Sequence, residues 1–322
     1  MEITRRTLLG AAGAMAASAA TPRPAKTAAG KSEPKCYVAV VTPCDSKGRF
    51  DDSLYADVMG RLRANGADGV LVLGTTGEFP SFSVAERKKI AETALKHRAG
   101  MEIIVQIGTP NLPETLDLLH HAVSNGTDAV LCMPPFYFKH VSVQGLTDYL
   151  SQVLEASKVP VYLYHYPGMS EVPISAELLH HLEKYPNLAG IKDSTGNAES
   201  YQILCQEFPK LNMMSGTENN VPIALEHGNG AILVSANLFT KQVAAVFQAK
   251  RAGKDLAEPL AKMREAQQTL RAPGVPGGAA QIKYAFTAFG MRESFVRPPQ
   301  VNLTADQKAA LKPKLADLAK LA

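Results

Sequence analysis

Eight short apolar runs rich in β-branched residues, each followed by a stretch of helical periodicity, constrain this chain more than any other feature of its sequence. They occupy residues 37–42, 69–73, 102–107, 128–133, 159–164, 189–192, 212–215 and 231–235. The runs are continuous rather than alternating, which is the pattern of strands buried on both faces of a parallel sheet. Helices are expected at 84–98, 113–124, 142–157, 175–184 and 197–208, and Ser83 with Glu86 has the spacing of a capping box at the start of the first. This alternation makes an α/β protein. A doubly wound open sheet is one arrangement of such units, but eight of them is the number that closes a (β/α)8 TIM barrel. Further helical patterns at 241–252, 255–271, 278–289 and 305–321 exceed the one helix that the last unit needs. The expected organisation is a barrel core over 34–240 and C-terminal helices packed on the barrel over 241–322.

Residues 1–33 stand outside that scheme. Arg5 and Arg6 precede an apolar, small-residue stretch over 8–16, and Ala17-Ser18-Ala19 has the form of a cleavage site. The run from Thr4 to Leu9 resembles a twin-arginine signal, which addresses a folded protein for export across the bacterial inner membrane. A basic tail without that role is the alternative. The Pro-, Lys- and Gly-rich segment 21–34 reads as a linker. An exported, periplasmic location is therefore expected, or a cytoplasmic one if the signal does not function. No other apolar run reaches the roughly 18 residues of a membrane span.

Composition excludes some partners. With 322 residues, 46% hydrophobic and 20% charged, the chain is large enough for one sizeable core. Its 34 basic and 30 acidic residues give a net charge of +4, much of it from the first 35 residues. So slight an excess gives no reason to expect nucleic acid. Export would permit disulfides, but Cys36 and Cys44 bracket one apolar run. Eight residues of strand would separate them by roughly 26 Å, far beyond the ~7 Å limit of a bridge. Cys132 lies in another run and Cys205 in a helical pattern, so buried free thiols are expected.

In a closed parallel barrel, reactive groups come from the carboxyl ends of the strands and the loops after them. Three places there stand out. Gly74-Thr75-Thr76-Gly77-Glu78 follows the second run; its glycines let the backbone approach a ligand, and its hydroxyls beside backbone amides can cradle a carboxylate. An ordinary structural turn has the same composition, so this feature alone leaves both roles open. Tyr164 ends the fifth run in Leu163-Tyr164-His165-Tyr166-Pro167, where a phenol can relay protons or simply fill the core with its hydroxyl satisfied. Lys192 ends the sixth run in Gly190-Ile191-Lys192-Asp193-Ser194. Burying an ammonium is costly, and a lysine aimed into a barrel that becomes a neutral amine can attack a ketone to form an iminium. An ion pair with Asp193 is the plainer alternative, although neighbours along a strand face opposite sides.

Taken together, these motifs resemble those of the dihydrodipicolinate synthase and N-acetylneuraminate lyase superfamily, over essentially all of residues 36–321. Residues 69–77 with Glu78, Phe79 and Glu86 are similar to its first signature. Tyr164-His165-Tyr166-Pro167 and the downstream Gly190-Ile191-Lys192-Asp193-Ser194 are similar to the second, with Tyr166 standing where a smaller or aliphatic residue is usual. The resemblance implies a class I, Schiff-base-forming aldolase or lyase. Lys192 would form the Schiff base with pyruvate or another 2-oxo acid, Tyr164 would shuttle the proton, and Thr75 would relay it to Tyr137. Thr76 and Gly77 would hold the substrate carboxylate, and Gly216 and Ile232 would line the same pocket. The resemblance also implies a homodimer or homotetramer in which Tyr137 reaches a neighbouring subunit's site, and a reaction that requires no metal or organic cofactor.

Five positions bear on the expected reaction. Met169 stands two residues after the proline of the tyrosine motif, where dihydrodipicolinate synthases carry a carboxylate-binding arginine. Ser194 resembles a sialic acid lyase threonine and can meet a polyhydroxylated aldehyde, as can Glu218 and Asn219, yet Val234 replaces a serine of those lyases. The expectation is aldol cleavage or formation of a 2-oxo acid such as a 2-keto-3-deoxy sugar acid or hydroxy-oxoglutarate, with pyruvate or glyoxylate as a product. Schiff-base dehydration of a deoxy keto-sugar acid, or a non-catalytic exported 2-oxo-acid binding protein, are the competing outcomes.

Overall fold

The computed structural model describes residues 33–321, so the expected export signal lies outside the described residues. Eight strands, β1 (Cys36–Ala39), β2 (Gly69–Val72), β3 (Glu102–Gln106), β4 (Ala129–Cys132), β5 (Val161–His165), β6 (Leu188–Asp193), β7 (Asn212–Ser215) and β8 (Ala231–Leu233), pair in sequence order and close on one another. Every pairing is parallel. The (β/α)8 barrel expected from the eight apolar runs is the fold. Strands β1, β2, β4 and β8 are buried at every residue, as continuous apolar runs require.

Helices α1 (Asp52–Ala64), α2 (Val84–Lys96), α3 (Leu112–Ser124), α4 (Val143–Ala156), α5 (Pro167–Ser170), α6 (Ala176–Leu182), α7 (Ala198–Glu207), α8 (Val221–Glu226) and α9 (Thr240–Arg251) follow the strands, the one-turn α5 and the longer α6 both lying between β5 and β6. Their starts are fixed locally. Asp51, Ser83, Asn111, Ser142, Ser175 and Asn197 each accept a hydrogen bond from a first-turn amide, and Ser83 with Glu86 completes the capping box. The eighth barrel helix is α9, packed against β1, so the additional helices begin after it with α10 (Ala257–Gln268), α11 (Ala279–Ala285) and α12 (Ala305–Lys320).

Gly190 sets the geometry two residues before Lys192. Its φ is +151°, and a β-carbon there would lie 2.0 Å from the Asn212 carbonyl oxygen, so only glycine lets β6 approach β7 this closely. All four cysteines are free and buried. Among the described residues no helix is long and apolar enough to cross a membrane.

Candidate active site

The centre of the site follows from register. Tyr164 on β5 is the partner of Lys192 on β6, and His165 is the partner of Asp193. Side chains alternate along a strand, so each pair shares a face and the two pairs lie on opposite faces. Tyr164 and Lys192 face the interior, since the Tyr164 hydroxyl reaches Thr75 in the loop after β2, at 3.4 Å. The Lys192 ammonium donates to the Tyr164 hydroxyl at 3.1 Å and lies 4.2 Å from the centre of its ring. On its other side Lys192 has the buried thioether of Met214 as register partner. Lys192 and Tyr164 are only 3% and 2% exposed, yet each has a polar partner.

Burial alone would raise the Tyr164 phenol. It is opposed by the Lys192 charge and by hydrogen bonds with Thr75, Ser194 and Lys192, which together hold the phenol below its ordinary value. Tyr166 packs its ring against Tyr164, with centroids 5.8 Å apart. The Ser194 hydroxyl has room because residue 216 is glycine: a β-carbon there would sit 2.1 Å from Ser194 Oγ. Ser194, expected from the sequence to meet substrate, is also among the groups that lower the phenol.

Asp193 does not pair with Lys192. Its Oδ1 accepts from the Thr195 amide at 3.1 Å and hydroxyl at 2.7 Å, and its Oδ2 lies 3.8 Å from His165 Nε2. His165 Nδ1 accepts from the Ile174 amide at 2.9 Å. Burial holds His165 below its ordinary value against the pull of Asp193, and burial raises Asp193. This second pair sits behind the first, on the helix side of the sheet.

The glycine turn is held in an unusual conformation at both ends. Leu73 and Glu78 have φ of 60° and 57°, in the left-handed region that side chains other than glycine seldom occupy. Within the turn the Glu78 amide donates to the Thr75 carbonyl at 3.0 Å, and Thr42 Oγ1 donates to the Gly77 carbonyl at 2.8 Å. A β-carbon at Gly77 would come within 3.1 Å of the Val40 carbonyl oxygen, so the turn lies against the end of β1. Thr76 is half-buried beside Thr75.

Other expected residues are placed around this centre. Ile232 is fully buried in β8. Glu218 bridges two loops, accepting from the Ser235 amide at 3.2 Å, a structural engagement that its sequence position did not reveal. Tyr137 stands apart within one chain: it is 73% exposed and makes an edge contact with the ring of Phe138, itself 64% exposed. Met169 is 56% exposed on α5. Among the described residues no group of three or more His, Cys, Asp or Glu side chains could hold a metal ion.

Sequence reasoning missed Lys283 on α11, which is fully buried and ion-paired with Glu78 at the end of the glycine turn. A local signal existed. Residues 279, 282, 283 and 286 have the spacing of one helix face, and Lys283 is the charged residue among three apolar ones.

Comparison with known proteins agrees with this geometry. The model of the dihydrodipicolinate synthetase family matches residues 34–318. A DapA-like lyase of Chloroflexus aurantiacus is 32% identical over 87% of this chain and 96% of its own length. The 4-hydroxy-tetrahydrodipicolinate synthase of Listeria welshimeri is 31% identical, over 89% of this chain and 99% of its own. Among solved structures, the prophage protein YagE of E. coli K12, in complex with pyruvate, superposes with a TM-score of 0.80 at 27% identity, covering 90% of this chain and 99% of YagE. The sialic acid aldolase of Ruminococcus gnavus shares the fold, with a TM-score of 0.81 at 20% identity over 90% of this chain and 96% of that one. A family match over most of the chain, with relatives above 30% identity along nearly their whole length, places this chain in the dihydrodipicolinate synthetase family, whose members are class I aldolases and lyases.

Proposed function

We propose that the chain catalyses aldol cleavage, or the reverse condensation, of a 4-hydroxy-2-oxo acid through a Schiff base on Lys192, with pyruvate or glyoxylate as one product. The observation that carries this reading is the buried contact of 3.1 Å between Lys192 Nζ and the Tyr164 hydroxyl. The amine attacks the keto carbon, and the hydroxyl so formed leaves as water with the proton of the Tyr164 phenol, giving an iminium and a phenolate. The C3–C4 bond then breaks toward the iminium, leaving an enamine, while the C4 hydroxyl gives its proton to the Tyr164 phenolate and becomes the aldehyde. Protonation of the enamine and hydrolysis release the 2-oxo acid product and the free amine.

Tyr164 suits the shuttle because a phenol held below its ordinary value gives up its proton more readily than a free one. Thr75 keeps its hydroxyl oriented from across the barrel. Thr76 and Gly77 hold the substrate carboxylate at the glycine turn, and Gly216 and Ile232 bound the pocket. Tyr137, exposed together with Phe138, extends the relay into the site of a neighbouring copy in a homodimer or homotetramer, which sedimentation of the purified chain tests. The signal-like segment with Arg5 and Arg6 directs export to the periplasm, and Arg5→Lys with Arg6→Lys should block it.

Met169 supports a reaction other than dihydrodipicolinate synthesis. A thioether cannot grip a second substrate's carboxylate as a guanidinium does. The neighbouring Lys139 is already engaged, donating to the Phe136 and Ser170 carbonyls at 2.8 and 3.1 Å and lying 3.6 Å from Glu171. The test is product analysis on 2-keto-3-deoxy sugar acids and 4-hydroxy-2-oxoglutarate. Two fragments, one of them pyruvate or glyoxylate, are expected. A single product that has lost water and kept every carbon would replace cleavage by dehydration.

A further inference from the structure

The glycine turn is tied to the C-terminal helices by charges that the proposed chemistry does not use. The Glu78 and Lys283 side chains form an ion pair with 0% exposure on both sides. Two charges so far from water persist only where other polar groups complete their surroundings, because a lone buried charge is strongly unfavourable. Both are completed by one segment. Lys283 Nζ also donates to the Phe295 carbonyl at 2.7 Å, and Glu78 Oε2 accepts from the Arg297 amide at 2.8 Å.

That segment grips the loops around the turn at further points. The Phe295 amide donates to the Cys44 carbonyl at 2.9 Å, just beyond β1. The Arg297 guanidinium lies 4.5 Å from the centre of the Phe82 ring and pairs with Glu86 in the first turn of α2 at 2.9 Å. Ser81 Oγ donates to the Pro298 carbonyl at 3.3 Å.

Neither residue is the simplest choice for its place. A buried position on the inner face of α11 needs only an apolar side chain. A left-handed position after Gly77 favours glycine, and other residues stay there only when their surroundings hold them. The two departures meet each other. Between the left-handed residues 73 and 78 lie only Gly74, Thr75, Thr76 and Gly77, so fixing Glu78 fixes where the threonine amides and hydroxyls point.

We propose that Glu78 and Lys283 are positioning residues through which the C-terminal helices set the shape of the turn that binds the substrate carboxylate. This rests on the carboxylate-binding role given to Thr76 and Gly77 above. Neither residue contacts the reacting atoms. Their loss should weaken recognition of the carboxylate and leave the Lys192 amine able to react with a ketone that has none.

The test uses the full chain with Glu78→Gln, Lys283→Met and the double variant, each checked for folding by circular dichroism. Calorimetry measures pyruvate affinity, and borohydride trapping measures capture of hydroxyacetone, a ketone without a carboxylate, on Lys192. The double variant decides, because it leaves no uncompensated buried charge and so avoids the main risk of unfolding. Its pyruvate dissociation constant should rise roughly tenfold or more, the scale of a misplaced binding group, while hydroxyacetone capture changes less than about twofold. Unchanged pyruvate affinity in the folded double variant would overturn the proposal, and so would equal losses with both ketones, the mark of a general structural role. If the wild type binds pyruvate without forming an adduct, the Schiff-base reading fails and the affinity comparison alone judges the positioning pair. A wild type that binds no pyruvate overturns both.

Discussion

Lys192 meets the Tyr164 hydroxyl at 3.1 Å because the two residues are register partners across β5 and β6. A slip of one residue in either strand would turn one of them to the helix side, so the contact is a consequence of the fold's pairing. On the other side of β6, Gly190 admits the close approach of β7, and behind the sheet His165 and Asp193 face each other across the same two strands.

Removing the phenol hydroxyl should separate capture from turnover. Tyr164→Phe keeps the ring against Tyr166 and the amine of Lys192, so adduct formation with pyruvate should remain measurable. Steady-state turnover should fall by roughly two orders of magnitude or more, the usual scale of a lost acid–base group. Unchanged turnover would remove Tyr164 from the proton path.

The ionisation of Tyr164 has a definite sign. An unfolded tyrosine titrates near 10, and the folded phenol lies below that because the Lys192 charge and three hydrogen bonds outweigh burial. Ionisation of this group therefore favours the folded state: the contribution is complete above about pH 10 and disappears as pH falls through the lower folded value. Phenolate absorbance of the wild type minus that of Tyr164→Phe should titrate below the free phenol, and Thr75→Val or Ser194→Ala should move the midpoint upward. A midpoint that neither substitution moves would contradict the hydrogen-bond account.

Glycine substitutions should divide by location. Gly190→Ala forces a β-carbon to 2.0 Å from the Asn212 carbonyl oxygen at a φ of +151°, and should destabilise by well over about 1 kcal/mol. Gly60 in α1 has nothing within 4 Å of the added carbon, so Gly60→Ala should stabilise by about 0.5–1 kcal/mol. Denaturant midpoints measured side by side check both, and equal shifts of the same sign would refute the packing argument.

The cysteines should be inert in the folded chain. All four are buried, and burial pushes the Cys44 thiol up to about 11 and the Cys132 thiol up to about 12. An alkylating reagent at neutral pH should leave them unmodified until denaturant is added. Rapid labelling of the native protein would contradict the burial.

The barrel was legible because its strands are buried on both faces and so stand out as unbroken apolar runs. Lys192 and Tyr164 were legible for a related reason, each being a polar group at the end of such a run. Helix α1 carries an equally plain pattern in Leu54, Tyr55, Val58, Met59 and Leu62, yet it was not among the segments read from periodicity. Partnerships were harder. Nothing near Ser194 in the sequence shows that its side chain lowers the Tyr164 phenol, since the space for it comes from Gly216 on another strand's loop. The bond between Glu78 and Lys283 joins distant parts of the chain, and only their meeting in space explains why a helix buries a lysine.

Reduction of the chain with borohydride in the presence of pyruvate, followed by intact mass and peptide mapping, tests the central claim most directly. One adduct on the peptide containing Lys192 is expected, and none in Lys192→Ala. Failure of the wild type to form an adduct with pyruvate, glyoxylate or any other 2-oxo acid, or an adduct retained by Lys192→Ala, would contradict the account.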